Sequence, residues 1–152
     1  MEMVRLLLAF AAIPMVTSAA GFSLTVGPPI AAAKVTKTKG AAFAVRLEEC
    51  GALDKVQISG IAEAVVDGAR TSAPVTISDT GSPGVYIAIP AGNQNQGVWV
   101  VSLSATCGSA RAGAIVPIGP QGFQREGLKI LPRAATKAEI DAALKAIENS
   151  GR

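Results

Sequence analysis

Between Val98 and Cys107 the residues alternate with a period of two. Trp99, Val101, Leu103, Ala105 and Cys107 fall on one face, and Ser102, Ser104 and Thr106 on the other. Only an extended strand places residues i, i+2 and i+4 on the same side. An apolar face backed by a polar one means that this strand packs on one side and meets solvent on the other. A second run, Ala42 to Glu48, repeats the pattern with Phe43, Val45 and Leu47 inward. Cys50 is out of phase with those three by one position. The strand is therefore expected to end or bulge at Glu48-Glu49, letting Cys50 turn inward.

The rest of the chain has the same grammar. Short β-branched runs are separated by turn signals, as in a single antiparallel β-sandwich. Phe22 to Val26 reads as a first strand stopped by Gly27-Pro28-Pro29, and Lys34 to Lys39 as an edge strand. Lys55 to Val66 is a long run with a kink or bulge at Gly60. Asp67-Gly68 is a preferred hairpin pair, with Arg70 to Ile77 returning. Residues 79 to 84 read as a turn, and Val85 to Ile89 as a strand ended by Pro90. Ala110 to Ile118 and Leu128 to Leu131 complete the series.

The two ends differ from this core. Leu6 to Val16 is apolar throughout, follows Arg5, and precedes Thr17-Ser18-Ala19-Ala20-Gly21. That is the layout of a cleavable signal peptide, with cleavage expected after Ala20 or Ala19, and the run is too short to span a bilayer. At the other end Thr136-Lys137-Ala138-Glu139 forms a capping box. Ile140, Ala143, Leu144 and Ile147 then make an amphipathic stripe, with Gly151 as a stop. The expected organisation is a signal peptide over residues 1–20, a β-sandwich domain over 21–131, and a linker with a short C-terminal helix over 132–152. Pro132-Arg133-Ala134-Ala135 reads as the linker.

Export bears on the cysteines. Cys50 and Cys107 are the two in the chain. In an oxidising compartment such a pair is expected to form a disulfide. Closing a loop of that length stabilises a fold by about 4 kcal/mol in chain-entropy terms.

Little is left with which to do chemistry. The chain has no histidine, and Met1, Met3 and Met15 all precede the expected cleavage point. Histidine triads and general bases are thereby excluded, as are the His and Met ligands of copper and zinc sites. Glu48 and Glu49 are neighbours on a strand and point to opposite faces, so they cannot share a proton. Asp79 with Ser82 supplies one acid, too few for a calcium loop. Ser72 and Ser102 have no base beside them in sequence. No catalytic, metal or cofactor residue is assigned. The net charge of +3 is mild, and the lysines at 34, 37 and 39 have no interleaved aromatics, so nucleic acid is not an expected partner. Phe43 and Trp99 are expected in the core. Tyr86, out of phase with Val85 and Ile87, is expected to be exposed, and Asn93 to Gln96 to be a solvated loop.

Gly84-Val85-Tyr86 followed by Gly97-Val98-Trp99, within the stretch from Ile61 to Val101, resembles the bacterial exported immunoglobulin-like or carboxypeptidase-regulatory-like β-sandwiches. The resemblance implies an immunoglobulin-like sandwich in which each glycine opens a strand and each aromatic packs inward. Two features depart from it. Trp99 stands eight residues before Cys107, whereas immunoglobulin domains place it soon after the first cysteine. Copper-handling relatives use His or Met, which the mature chain lacks. The functional expectation is a non-catalytic exported protein, with no stable membrane insertion after signal cleavage. Its partner would be another envelope or extracellular protein. The alternative is a carrier of a small apolar ligand, held between the sheets or under the helix. An unusual hydrolase is a third reading.

Overall fold

The computed structural model describes residues 21–29, 42–51, 53–91, 98–119 and 122–150. The strands follow the sequence closely. They are β1 (Ser23–Gly27), β2 (Phe43–Glu48), β3 (Val56–Val66), β4 (Ala69–Asp79), β5 (Val85–Pro90), β6 (Trp99–Cys107), β7 (Ala110–Gly119), β8 (Gly122–Phe123) and β9 (Lys129–Leu131). A 3-10 turn at Leu53–Lys55 precedes β3, and α1 (Lys137–Ser150) closes the chain. The expected signal peptide, the expected edge strand from Lys34 to Lys39 with its lysines, the loop from 93 to 96 and Gly151 lie outside the described residues.

The expected immunoglobulin-like sandwich of two sheets is not what forms. One antiparallel sheet runs β1-β2-β5-β4-β3-β6-β7-β8, with β9 also on β7, and it curls nearly closed into a barrel that brings β1 back beside β7. The junction is β3. It pairs with β6 from Val56↔Cys107 to Ala64↔Trp99, and with β4 from Gly60↔Val75 to Val66↔Ala69. A sandwich would need a break on one side of β3, and both sides are laddered.

Local chemistry explains the continuity. Asp67 and Gly68 both take positive φ, 51° and 77°. Such a two-residue turn matches the right-handed twist of its strands and keeps them paired. Gly60 faces inward, where a Cβ would sit 2.9 Å from Leu103 Cδ2 and 3.2 Å from the Cβ of Val75. No bulge forms at Gly60, where the register with β6 runs unbroken; the glycine instead admits a close approach of neighbouring side chains to a bare backbone.

The barrel interior is filled. Phe43, Leu24, Leu103, Val45, Val101, Val116 and Ile118 are fully buried, and Ala62, Ala64, Ala88, Ala105, Ala112 and Ala114 occupy the narrower places. Small residues between large ones let a sheet bend tightly and still exclude water. The inward residues expected on β2 and β6 are all in this core or packed against it. Tyr86 corrects an expectation: it pairs with Val45 and is half-buried against the core. Its phase is shared with Ala88, which points inward, and Val85 and Ile87 take the opposite face.

Outside the barrel, α1 lies across β6 and β7. Leu144, 6% exposed, packs on Val100 and Ile115, both at 0%. This second, smaller core is why β7 is buried on both faces from Ala112 to Gly119. Both halves of the capping box form: Glu139 N–H donates to Thr136 Oγ1 at 3.3 Å, and Thr136 N–H to Glu139 Oε2 at 2.8 Å.

Candidate functional site

Cys50 and Cys107 are bridged, with Cα atoms 6.0 Å apart. Glu49 makes this possible. Its φ of 61° breaks the extended run after β2 and turns Cys50 toward the end of β6. The bridge ties the ends of two strands separated by β5, β4 and β3 in the sheet. Bridged sulfurs neither ligate nor attack, so this pair is structural. A disulfide fits an oxidising compartment. No described helix is long and apolar enough to cross a membrane.

The other polar candidates are also used structurally. Asp79 Oδ1 accepts from Gly81 N–H at 2.8 Å, and Thr80 Oγ1 donates to Val85 O at 2.8 Å. That network sets the turn before β5. Glu48 and Glu49 are exposed. Ser72 pairs with Glu63 across β3 and β4, and Ser102 Oγ reaches Ile61 O at 3.5 Å. Among the described residues no three His, Cys, Asp or Glu side chains gather to hold a metal.

Among the described residues an open space lies under α1. On the β7 side of the helix an open cleft of about 500 Å³ is walled by Val98, Pro117, Ala143, Ala146 and Ile147. Gln124, Glu126, Lys129 and Ser150 stand at its rim. The β8–β9 connection forms the far bank. A smaller cleft of about 150 Å³ lies on the β3 side, between Val65, Val98, Leu144, Ile147 and Glu148.

Three features of the chain position the helix over this space. Gly113 lets the backbone after β9 cross β7, since a Cβ there would sit 2.1 Å from Arg133 O. Arg133 then holds Glu139 through both carboxylate oxygens, at 2.8 and 2.9 Å. Arg70, at the start of β4, bridges Glu63 of β3 and Asp141 of α1. These pairs set the charge states at the helix start. Arg133, and after it the Thr136 backbone N–H, hold the Glu139 carboxyl down to about 2. Arg70, and after it Lys137, hold Asp141 below the usual carboxylate range. Exposed pairs of this kind contribute little to stability, and their geometric effect is to orient the helix.

Nothing in the sequence pointed to the cleft directly. The stripe that docks α1 was legible, but the outward faces of β6 and β7 and the β8–β9 bank come together only when the sheet has curled. Pro132 to Ala135, read as a linker, is a strap pinned across Gly113, with Ala135 packed on the second core.

No protein-family model, curated protein or solved structure matches this chain.

Proposed function

We propose that this chain is a non-catalytic exported binding protein that holds a small apolar ligand in the cleft between α1 and the outer face of β6 and β7. The observation that carries the reading is the cleft itself: about 500 Å³, with an apolar wall and a few polar groups at the rim. Ligand sites have this make-up, apolar walls giving affinity and sparse polar groups giving orientation. The barrel interior is occupied by its own side chains, which favours the second of the two places expected for such a ligand, the space under the helix.

A protein partner, the first expectation from sequence, is supported less well. Among the described residues the large exposed hydrophobics are Ile61, at 51%, and Ile130, at 46%. Stable docking faces gather such side chains into a broad patch. Export is supported by the apolar run Leu6 to Val16, by the small residues after it and by the disulfide.

The test is titration of the mature protein with anilinonaphthalene sulfonate, an anionic fluorescent probe of apolar sites. One saturable site is expected, with amide shifts concentrated at Val98, Ala143, Ala146 and Ile147. Ala146→Trp, which fills the cleft from an exposed helix position, should abolish it. Shifts spread elsewhere, or binding indifferent to Ala146→Trp, would defeat the reading. N-terminal sequencing of exported material should begin at Ala20 or Gly21, and a retained Met1 would count against export.

A further inference from the structure

The two clefts under α1 meet at the same pair of residues. Val98, the residue before β6, and Ile147, on the helix, line both the larger space on the β7 side and the smaller one on the β3 side. The strand order β3-β6-β7 explains why. Val65 lies to one side of Val98 and Pro117 to the other, while α1 passes overhead. The first half of the helix is held by Leu144 on Val100 and Ile115, by Arg133 on Glu139 and by Arg70 on Asp141. Past Leu144 the helix faces the barrel through Ile147, with open space on either flank. Ile147 is half-buried and therefore less tightly confined than the core side chains.

We propose that these spaces are one site: a passage beneath the second half of α1 that takes an unbranched alkyl chain, with Ile147 as the side chain that moves aside to join them. The inference rests on the cleft being the binding site and adds the shape of what it binds. Chemistry along the passage favours a chain over a compact ring. Its middle is apolar, formed by Val98, Ile147, Leu144 and Val65. Its two mouths are polar, with Glu148 on the β3 side and Gln124, Glu126 and Lys129 on the β7 side. A compact ligand would fill the larger cleft alone and leave the smaller one without a role. A single chain is narrow enough to pass the neck at Ile147, and its head group would remain among the polar groups of the wider mouth. Movement of Ile147 between staggered side-chain positions needs no change in the backbone.

The experiment measures binding of straight-chain fatty acids from six to sixteen carbons to the mature protein. Each additional buried methylene should raise affinity about fourfold, until the chain has passed Ile147 and filled the smaller cleft, after which affinity should level off. Val65→Trp blocks the smaller cleft from an outward strand position that tolerates an aromatic residue. It should bring the plateau to a shorter chain. A long chain carrying a nitroxide at its terminal carbons should broaden the amide signals of Val65 and Leu144, and a short one should not. An unchanged plateau in folded Val65→Trp, with no broadening at Val65, would overturn the passage while leaving a binding cleft in place. Saturable binding of anilinonaphthalene sulfonate with no gain from chain length would do the same. If neither that probe nor any fatty acid binds, the cleft reading falls and takes the passage with it.

Discussion

At the scale of single residues, the half-turn at Glu49 has the largest consequence. A non-glycine residue at φ 61° is unfavourable. Here it is held by β2 on one side and by the Cys50–Cys107 bridge on the other. The bridge spans 57 positions and restricts the unfolded chain accordingly. Cys50→Ala or Cys107→Ala should each cost about 2–4 kcal/mol in denaturant unfolding. The double variant should match the singles, because the same bond is lost. Clearly additive losses would mean that the side chains act separately. Trp99 was legible as a core residue from its phase alone. Its indole N–H is buried and has no hydrogen-bond partner among the described residues. A buried donor without a partner carries a cost, and that cost is invisible in a sequence.

Among the elements, α1 depends most on its surroundings. A helix of 14 residues is marginal in water by itself, and it is secured by one buried leucine, a strap and ion pairs. Gly113→Ala should dislodge the strap, since the new methyl would meet Arg133 O. A loss of about 1–3 kcal/mol is expected for such overpacking, with amide protection falling across Ile140 to Ile147 and holding in Val101 to Ala105. Equal loss in both would mean that the helix is inseparable from the barrel. Acid should act on the same contacts. Glu139 and Asp141 have folded pKa values below their unfolded ones, so their contribution is complete above the unfolded values, roughly pH 4. It is lost as the pH falls through the folded ones, to about 2 for Glu139. Helix protection should decline between about pH 5 and pH 2 and stay level from pH 6 to 8. Arg133→Gln should reduce that decline by the share Arg133 gives Glu139 and leave the Asp141 share in place, and a decline of the same size in this variant would assign it to other carboxylates.

For the whole molecule, the filled interior and the cleft outside it make a separable prediction. Leu103→Ala, deep in the barrel, should cost about 2–5 kcal/mol. It should leave affinity for anilinonaphthalene sulfonate within about twofold, because Leu103 lies away from the larger cleft. Loss of binding in the folded variant would return the ligand to the interior. The disulfide could be read from the count of cysteines and the expected compartment. The strands, the hairpin at Asp67-Gly68, the inward faces of β2 and β6 and the capped helix could all be read from residues near one another in the chain, because period, turn chemistry and capping are local. Three features could not. β4 pairs with β3 over Ala69–Val75 and with β5 over Val75–Asp79, and whether that handover keeps one sheet or starts a second depends on how far a sheet can curl. That is set by which small side chains meet inside: Gly60 against Val75 and Leu103, and the alanines of β3, β6 and β7. The side on which Tyr86 lies follows from its pairing with Val45, a partner 41 positions away. The cleft exists because β6, β7, the β8–β9 connection and α1 converge on a common space. Local periodicity determined what each segment is; long-range packing decided which segments meet, and a binding site is made by that meeting.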